Sequence, residues 1–235
     1  MLQFHQESSR ATLRHPMIFR RQFLFTAIFA MSLLAGCNGL LSPKVQPSHE
    51  YVLAALPVAS APATPLDATA ALVVFPAEMP EYLDRPQLVT RVQNNEIRLN
   101  EFQRWGEPVD DGFTRVLAQD LALLSGSNRV EVSPVPHVFA QEFEIYVKVT
   151  QFDGTPGGEV VLQVSWSATG LGGRPNYFKK TSTFTRRASA SPDAYAGYLE
   201  SLDGLEGDLA REIVQSLPLI RANRAAAAAT AASTR

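Results

Sequence analysis

The stretch that decides the fold is Phe143-Glu144-Ile145-Tyr146-Val147-Lys148-Val149-Thr150, followed by Val160-Val161-Leu162-Gln163-Val164-Ser165-Trp166-Ser167. In the first segment Phe143, Ile145, Val147 and Val149 alternate with Glu144, Tyr146, Lys148 and Thr150. In the second, Val160, Leu162, Val164 and Trp166 alternate with Val161, Gln163, Ser165 and Ser167. A period of two sends every other side chain to the same side, so each segment reads as a strand with one apolar and one polar face. Residues 177–187 read as a third strand. Asp153-Gly154-Thr155-Pro156-Gly157-Gly158 and Gly170-Leu171-Gly172-Gly173 between them are turn sequences. The three form an antiparallel meander whose apolar face needs a second layer.

Helices on either side supply that layer. Downstream, Ser191 is placed as an N-cap and Pro192 as the first helical residue. Tyr195, Tyr198, Leu199, Leu202, Leu205, Leu209, Ile213 and Leu217 follow as an apolar stripe at helical spacing. Gly204 and Gly207 lower the intrinsic stability of this helix by about 1 kcal/mol each relative to Ala, and they mark close packing on the sheet. Upstream, Phe113, Val116, Leu117, Leu121 and Leu124 share one face of another helix, which begins with Pro108-Val109-Asp110-Asp111. Asp110 or Asp111 can cap it, and Ser125-Gly126 ends it. Shorter strands are expected at 51–56, 71–75 and 130–132, with a hairpin pairing 88–92 and 96–102 across Asn94-Asn95. The expected class is α+β: a mainly antiparallel sheet with two main helices packed on one face.

The chain before this body reads as an address. Arg20-Arg21 precede an apolar run at 23–34, the length of a signal-peptide core and too short to span a bilayer. Leu34-Ala35-Gly36-Cys37 closes it and resembles the bacterial lipobox, in which the cysteine is acylated and becomes the mature N-terminus. The expected organisation is a signal peptide at 1–36, with Met17 as a plausible true start, and a lipidated tether at 37–49. A single domain at 50–220 follows, then an Ala-rich disordered tail at 221–235. Cys37 is the only cysteine, so no internal disulfide forms, and its position explains its presence. In many Gram-negative bacteria Asp after that cysteine retains the protein in the inner membrane. Asn38 therefore favours the outer membrane.

Composition narrows the function. With 46% hydrophobic and 19% charged residues, the chain is of the globular kind. Residues 1–36 hold Arg10, Arg14, Arg20 and Arg21 against Glu7. Of 21 basic and 23 acidic side chains, the mature part keeps 17 and 22, a net charge of −5. No basic stripe is present, so nucleic acid is not an expected partner. His49 and His137 are the only histidines of the mature part, too far apart in sequence for metal-ligand spacing. No catalytic residue, metal site or cofactor is expected beyond the covalent lipid on Cys37. Gly170-Leu171-Gly172-Gly173 leads into a strand, whereas a phosphate loop needs a following helix N-terminus.

One segment stands apart. Tyr82-Leu83-Asp84-Arg85-Pro86-Gln87, Arg91 and Arg104-Trp105-Gly106-Glu107-Pro108 set Arg, Tyr and Trp among prolines. Such residues are frequent in protein interfaces. They serve equally as internal ion pairs among Asp84, Arg85, Arg91 and Glu107 around a core Trp105, and both readings stay open.

These residues resemble the signature of the PqiC/YmbA family, the auxiliary lipoproteins of ABC-type and MCE-type transport systems. Tyr51-Val52-Leu53, Phe113-Thr114-Arg115-Val116-Leu117 and Phe152-Asp153 fit the same pattern, while Val109 stands where the family more often has Leu. The resemblance implies a non-enzymatic outer-membrane lipoprotein facing the periplasm. Its partner would be a PqiB-like MCE protein of an intermembrane lipid transport system that maintains envelope integrity. A homo-oligomeric ring is one form such docking could take. Two other functions remain open: a periplasmic carrier with an apolar cavity of roughly 300–1,000 Å³, and an envelope hydrolase built on Asp84 and Glu107.

Overall fold

The computed structural model describes residues 47–93, 95–134, 139–189 and 193–233. The chain divides into two units, Met1–Gln46 and Pro47–Arg235, and only the second falls among the described residues. Cys37, Asn94, His137, Ser191 and Pro192 therefore lie outside them.

The meander is present as β6 (Phe143–Gly154), β7 (Glu159–Thr169) and β8 (Asn176–Arg187), each antiparallel to the next. Inward residues face one another across the ladder, as in Val147 opposite Trp166 and Val149 opposite Val164. A register shift between Val149 and Gln151 brings Phe152 back to the buried side. On the other face Gln151, Gln163 and Thr183 form a polar row.

Two short strands extend this sheet. β2 (Leu72–Val74) pairs in parallel with β6, and β5 (Val130–Val132) in parallel with β2, giving the order β5-β2-β6-β7-β8. All three β2 residues are buried, as a strand covered on both faces requires. The hairpin of β3 (Gln87–Gln93) and β4 (Glu96–Trp105) does not join it. With β1 (His49–Tyr51) parallel to β4, it makes a second sheet of order β1-β4-β3. The class is α+β, but the one expected sheet is two, one parallel pair at an edge of the smaller and two toward an edge of the larger. Side-chain periodicity marks a strand without naming its partner, and parallel partners are reached only through long connections.

α1 (Val109–Ser125) and α2 (Ala194–Ser233) complete the body. Neither Asp110 nor Asp111 caps α1. Pro108 holds the cap position without a side-chain bond, and the two aspartates sit in the first turn, where they complement the helix dipole. Gly126, at φ 75°, closes α1 in the left-handed conformation. At the start of α2, Asp193 Oδ1 accepts the Tyr195 amide. Tyr198, Leu202, Leu205, Leu209, Ile213 and Leu217 are all fully buried, against a core that includes Trp166, Phe143 and Phe113.

Three further expectations are corrected. The strand expected at 51–56 ends at Tyr51, because the Ala54 and Leu56 amides donate to Asp203 Oδ1 (3.1 Å) and Asp120 Oδ1 (2.7 Å) instead of to a ladder. Residues 221–233, expected as a disordered tail, continue α2. Alanine is the strongest helix former, and Arg221 ties the start of this stretch to Glu142. Of the two glycines, only Gly204 meets the sheet, with a Cβ site 2.8 Å from the Arg186 guanidinium. Gly207 meets Leu56 instead, at 2.7 Å.

Candidate functional site

Pro80 and Pro86 keep the approach to β3 out of regular structure, and tight turns replace it. The Leu83 amide donates to the Pro80 carbonyl (2.9 Å) and the Arg85 amide to the Leu83 carbonyl (2.8 Å). The Trp105 amide then donates to the Pro86 carbonyl (2.8 Å), which sets residues 82–87 beside residues 104–108. Between them lies a surface cleft of about 340 Å³, lined by Asp84, Arg85 and Pro86 on one side and residues 105–108 on the other.

The two uses left open by the sequence divide the segment between them. Tyr82 and Arg91 turn inward to Asp153, which is fully buried. The Tyr82 hydroxyl donates to Asp153 Oδ2 (2.7 Å), and Arg91 donates from Nε to Oδ1 and from Nη2 to Oδ2, both at 2.7 Å. Gln151 Nε2 adds a bond to Oδ1 (3.0 Å). Burial, then the bond to Asp153, pushes the Tyr82 hydroxyl well above its ordinary range, so it stays a donor. Leu83 is core, and Gln87 begins β3, half-buried. Asp84, Pro86 and Pro108 are exposed, and Arg85 and Glu107 are half-buried.

Of Asp84, Arg85, Arg91 and Glu107, two form internal ion pairs, each with a partner from elsewhere in the chain. Arg91 takes Asp153, and Glu107 takes Arg115, which also donates to the Leu53 carbonyl (3.1 Å). Arg85 Nε lies buried without an acceptor. Trp105 is 9% exposed and reaches both the cleft and the core. The result is a cleft lined by a guanidinium, carboxylates, an indole and prolines, with Tyr82 and Arg91 of the same segment spent on the buried Asp153. Such a surface suits recognition of a peptide segment.

Sequence reasoning missed two groups. The first is Asp153, quoted only as part of a family pattern. The second lies between α1 and α2, where Asp120, Asp203 and Glu206 approach one another. Asp120 and Asp203 hold the amides of Leu56 and Ala54, whereas Glu206, fully buried, has no well-formed hydrogen bond and feels the weaker pull of the Leu117 backbone. Burial pushes Asp120 up to about 6 against the pull of the Leu56 amide. Burial, with the charges of Asp120 and Glu200, pushes Asp203 up to about 7. Burial and the charges of Asp120 and Asp203 put Glu206 well above the ordinary carboxyl value. A signal existed: Glu206 falls four residues after Leu202 and three before Leu209, on the apolar stripe itself.

The glycine turn does bind an anion, but one from its own chain. Glu144 accepts the amides of Gly172 (2.9 Å) and Gly173 (2.7 Å). Among the described residues no group of His, Cys, Asp or Glu has metal-holding geometry, and no helix is long and apolar enough to cross a membrane.

Residues 51–214 match the family described as the ABC-type transport auxiliary lipoprotein component. No curated protein matches the chain. Two crystal structures share the fold. One, of an uncharacterized protein, is 18% identical with a TM-score of 0.59, covering 73% of this chain and 99% of that one. The other, a DUF330-family protein from Xanthomonas campestris, is 13% identical with a TM-score of 0.57, covering 75% and 98%.

Proposed function

The chain belongs to the family of ABC-type transport auxiliary lipoprotein components, and from that premise we propose that it is the outer-membrane docking subunit of a PqiABC-like MCE lipid transport system. In this reading it is non-enzymatic. It is tied to the periplasmic face of the outer membrane by acyl chains on Cys37, and a PqiB-like MCE protein is its partner. The observation that carries the reading is the division of residues 82–108. Tyr82 and Arg91 are spent on the buried Asp153, while the open cleft leaves its rim residues Asp84, Arg85 and Pro86 available to a partner. Membership in a transport auxiliary family supports a role without catalysis.

The carrier and hydrolase alternatives gain no support from particular residues. The space between sheet and helices is filled by Trp166, Tyr198, Phe113, Phe143, Leu205 and their neighbours, all fully buried. Asp84 and Glu107 share the cleft, but Asp84 is exposed and Glu107 is engaged by Arg115, so they are not a desolvated acid pair.

Co-purification of the lipidated protein with the MCE partner tests the proposal. Arg85→Ala is expected to reduce capture while leaving the melting temperature unchanged. Trp105→Ala is expected to lower the melting temperature as well, because the indole is largely core. Wild-type protein that captures no MCE partner, together with an intact permeability barrier in the deletion strain, would overturn it.

A further inference from the structure

We propose that the loop at residues 57–66 is a second membrane contact, which rests in the headgroup region of the bilayer that holds the lipid anchor and orients the domain on it. The inference rests on acylation of Cys37. Residues 52–66 carry no charged side chain. Within the loop Val58 is 80% exposed and Leu66 49%. Val58 is held outward by a rigid turn. The Ser60 amide donates to the Pro57 carbonyl (2.7 Å) and the Ala61 amide to the Val58 carbonyl (3.0 Å), while Pro57, Pro62 and Pro65 restrict the backbone further.

Both ends of the loop are pinned to α1. The Leu56 amide donates to Asp120, and the Asp67 amide donates to the Ser125 carbonyl (3.0 Å). A loop already ordered in water loses little freedom on insertion. The headgroup region keeps its backbone hydrated, whereas the hydrocarbon core would not.

Chemistry favours lipid over a protein partner. The exposed apolar side chains Leu99 and Phe102 of β4 sit in a stretch with Glu96, Arg98 and Glu101, charges that a bilayer would have to desolvate. The 57–66 loop has no such charge, and it offers only Ser60 and Thr64 as hydrogen-bonding side chains.

Chain length permits the contact. Pro47 lies ten residues beyond Cys37, and a fully extended chain of that length spans at most ~35 Å. The loop is pinned at the C-terminal end of α1, whereas the cleft lies at its N-terminal end beside Pro108. The helix has 17 residues, which separates its ends by about 25 Å. A loop seated on the bilayer would therefore present the cleft away from the membrane. Acyl chains retain the protein, and the loop sets which end it shows.

Cys37 is the only cysteine and is blocked when acylated, so Val58→Cys in the lipidated full chain carries one free thiol for a fluorescent dye. Thr183→Cys, on the exposed outer face of the five-stranded sheet, is the control. Both are reconstituted into phosphatidylethanolamine–phosphatidylglycerol vesicles containing a headgroup-located quencher lipid. The expected result is quenching several-fold stronger at position 58 than at 183. Equal quenching at the two positions in acylated protein overturns the inference while leaving the anchor intact. So does a dye at 58 that lipid leaves unquenched and an added protein partner shields. A mass spectrum without the acyl adduct overturns the anchor, and this inference with it.

Discussion

Asp153 has no exposed surface, yet Tyr82, Arg91 and Gln151 direct four hydrogen bonds to its two oxygens. A carboxylate taken wholly out of water is tolerable only with such partners, and removing one strands the charge. Arg91→Ala is therefore expected to lower the unfolding free energy by about 3 kcal/mol in urea titrations. Tyr82→Phe, which removes one bond of the four, should cost about 1–2 kcal/mol. A loss below about 0.5 kcal/mol for Arg91→Ala, the size of an ordinary surface change, would show that Asp153 does not depend on these bonds. Half of this arrangement was legible in the sequence. Tyr82 and Arg91 stood out by type and surroundings, but their partner lies 62 residues beyond Arg91 on β6, and no local pattern links the two.

At the scale of elements, the contact between α1 and α2 encloses more acid than base. Asp120 on α1 and Asp203 and Glu206 on α2 face Arg115 on α1 and Arg211 on α2, while residues 54–56 contribute only amides. All three carboxyls have folded-state pKa values above their ordinary ones, so the folded protein holds protons that the unfolded chain releases. Their contribution is fully present below the unfolded value near pH 4 and is lost as pH rises through about 6 for Asp120 and about 7 for Asp203. Glu206 extends the loss to higher pH. Asp67 and Glu212 act in the opposite sense. Burial raises both, but hydrogen bonds from Arg221 and Thr69, and from Lys180, Ser182 and Trp166, hold them below the ordinary value. Their contribution is lost only as pH falls through those lowered values. Urea titrations should therefore give a higher unfolding free energy at pH 5.5 than at pH 8. Glu206→Met keeps the volume and removes the buried carboxyl oxygens. It should flatten that difference and stabilise the protein at pH 8 by about 1–3 kcal/mol. Equal stability at the two pH values, with no gain from the substitution, would contradict this account.

For the molecule as a whole, α2 is the longest element, and its last part divides in two. Arg221 bonds Glu142 through Nε and Nη2 (2.6 and 2.7 Å) and also bonds Asp67, and Arg224 lies 4.9 Å over the Phe143 ring. Residues 225–233 are exposed. A chain ending at Arg224 should melt with the full-length protein. One ending at Ile220 loses these ties and should melt several degrees lower, at about 2–4 °C per kcal/mol for a chain of this size. Identical melting of the two truncations would mean that the Arg221 ties add nothing. What the sequence by itself determined was local: the strands of the meander, the two helical stripes and the family signature at 82–108. Each is written in neighbouring residues, because period, capping and turn chemistry act over a few positions. Only the tertiary structure decided that the strands split into two sheets and that Asp153 receives Tyr82 and Arg91. It also decided that Asp120, Asp203 and Glu206 meet between helices, and that residues 82–87 lie beside residues 104–108. Those outcomes depend on which distant surfaces close against each other, and side-chain periodicity is silent about partners.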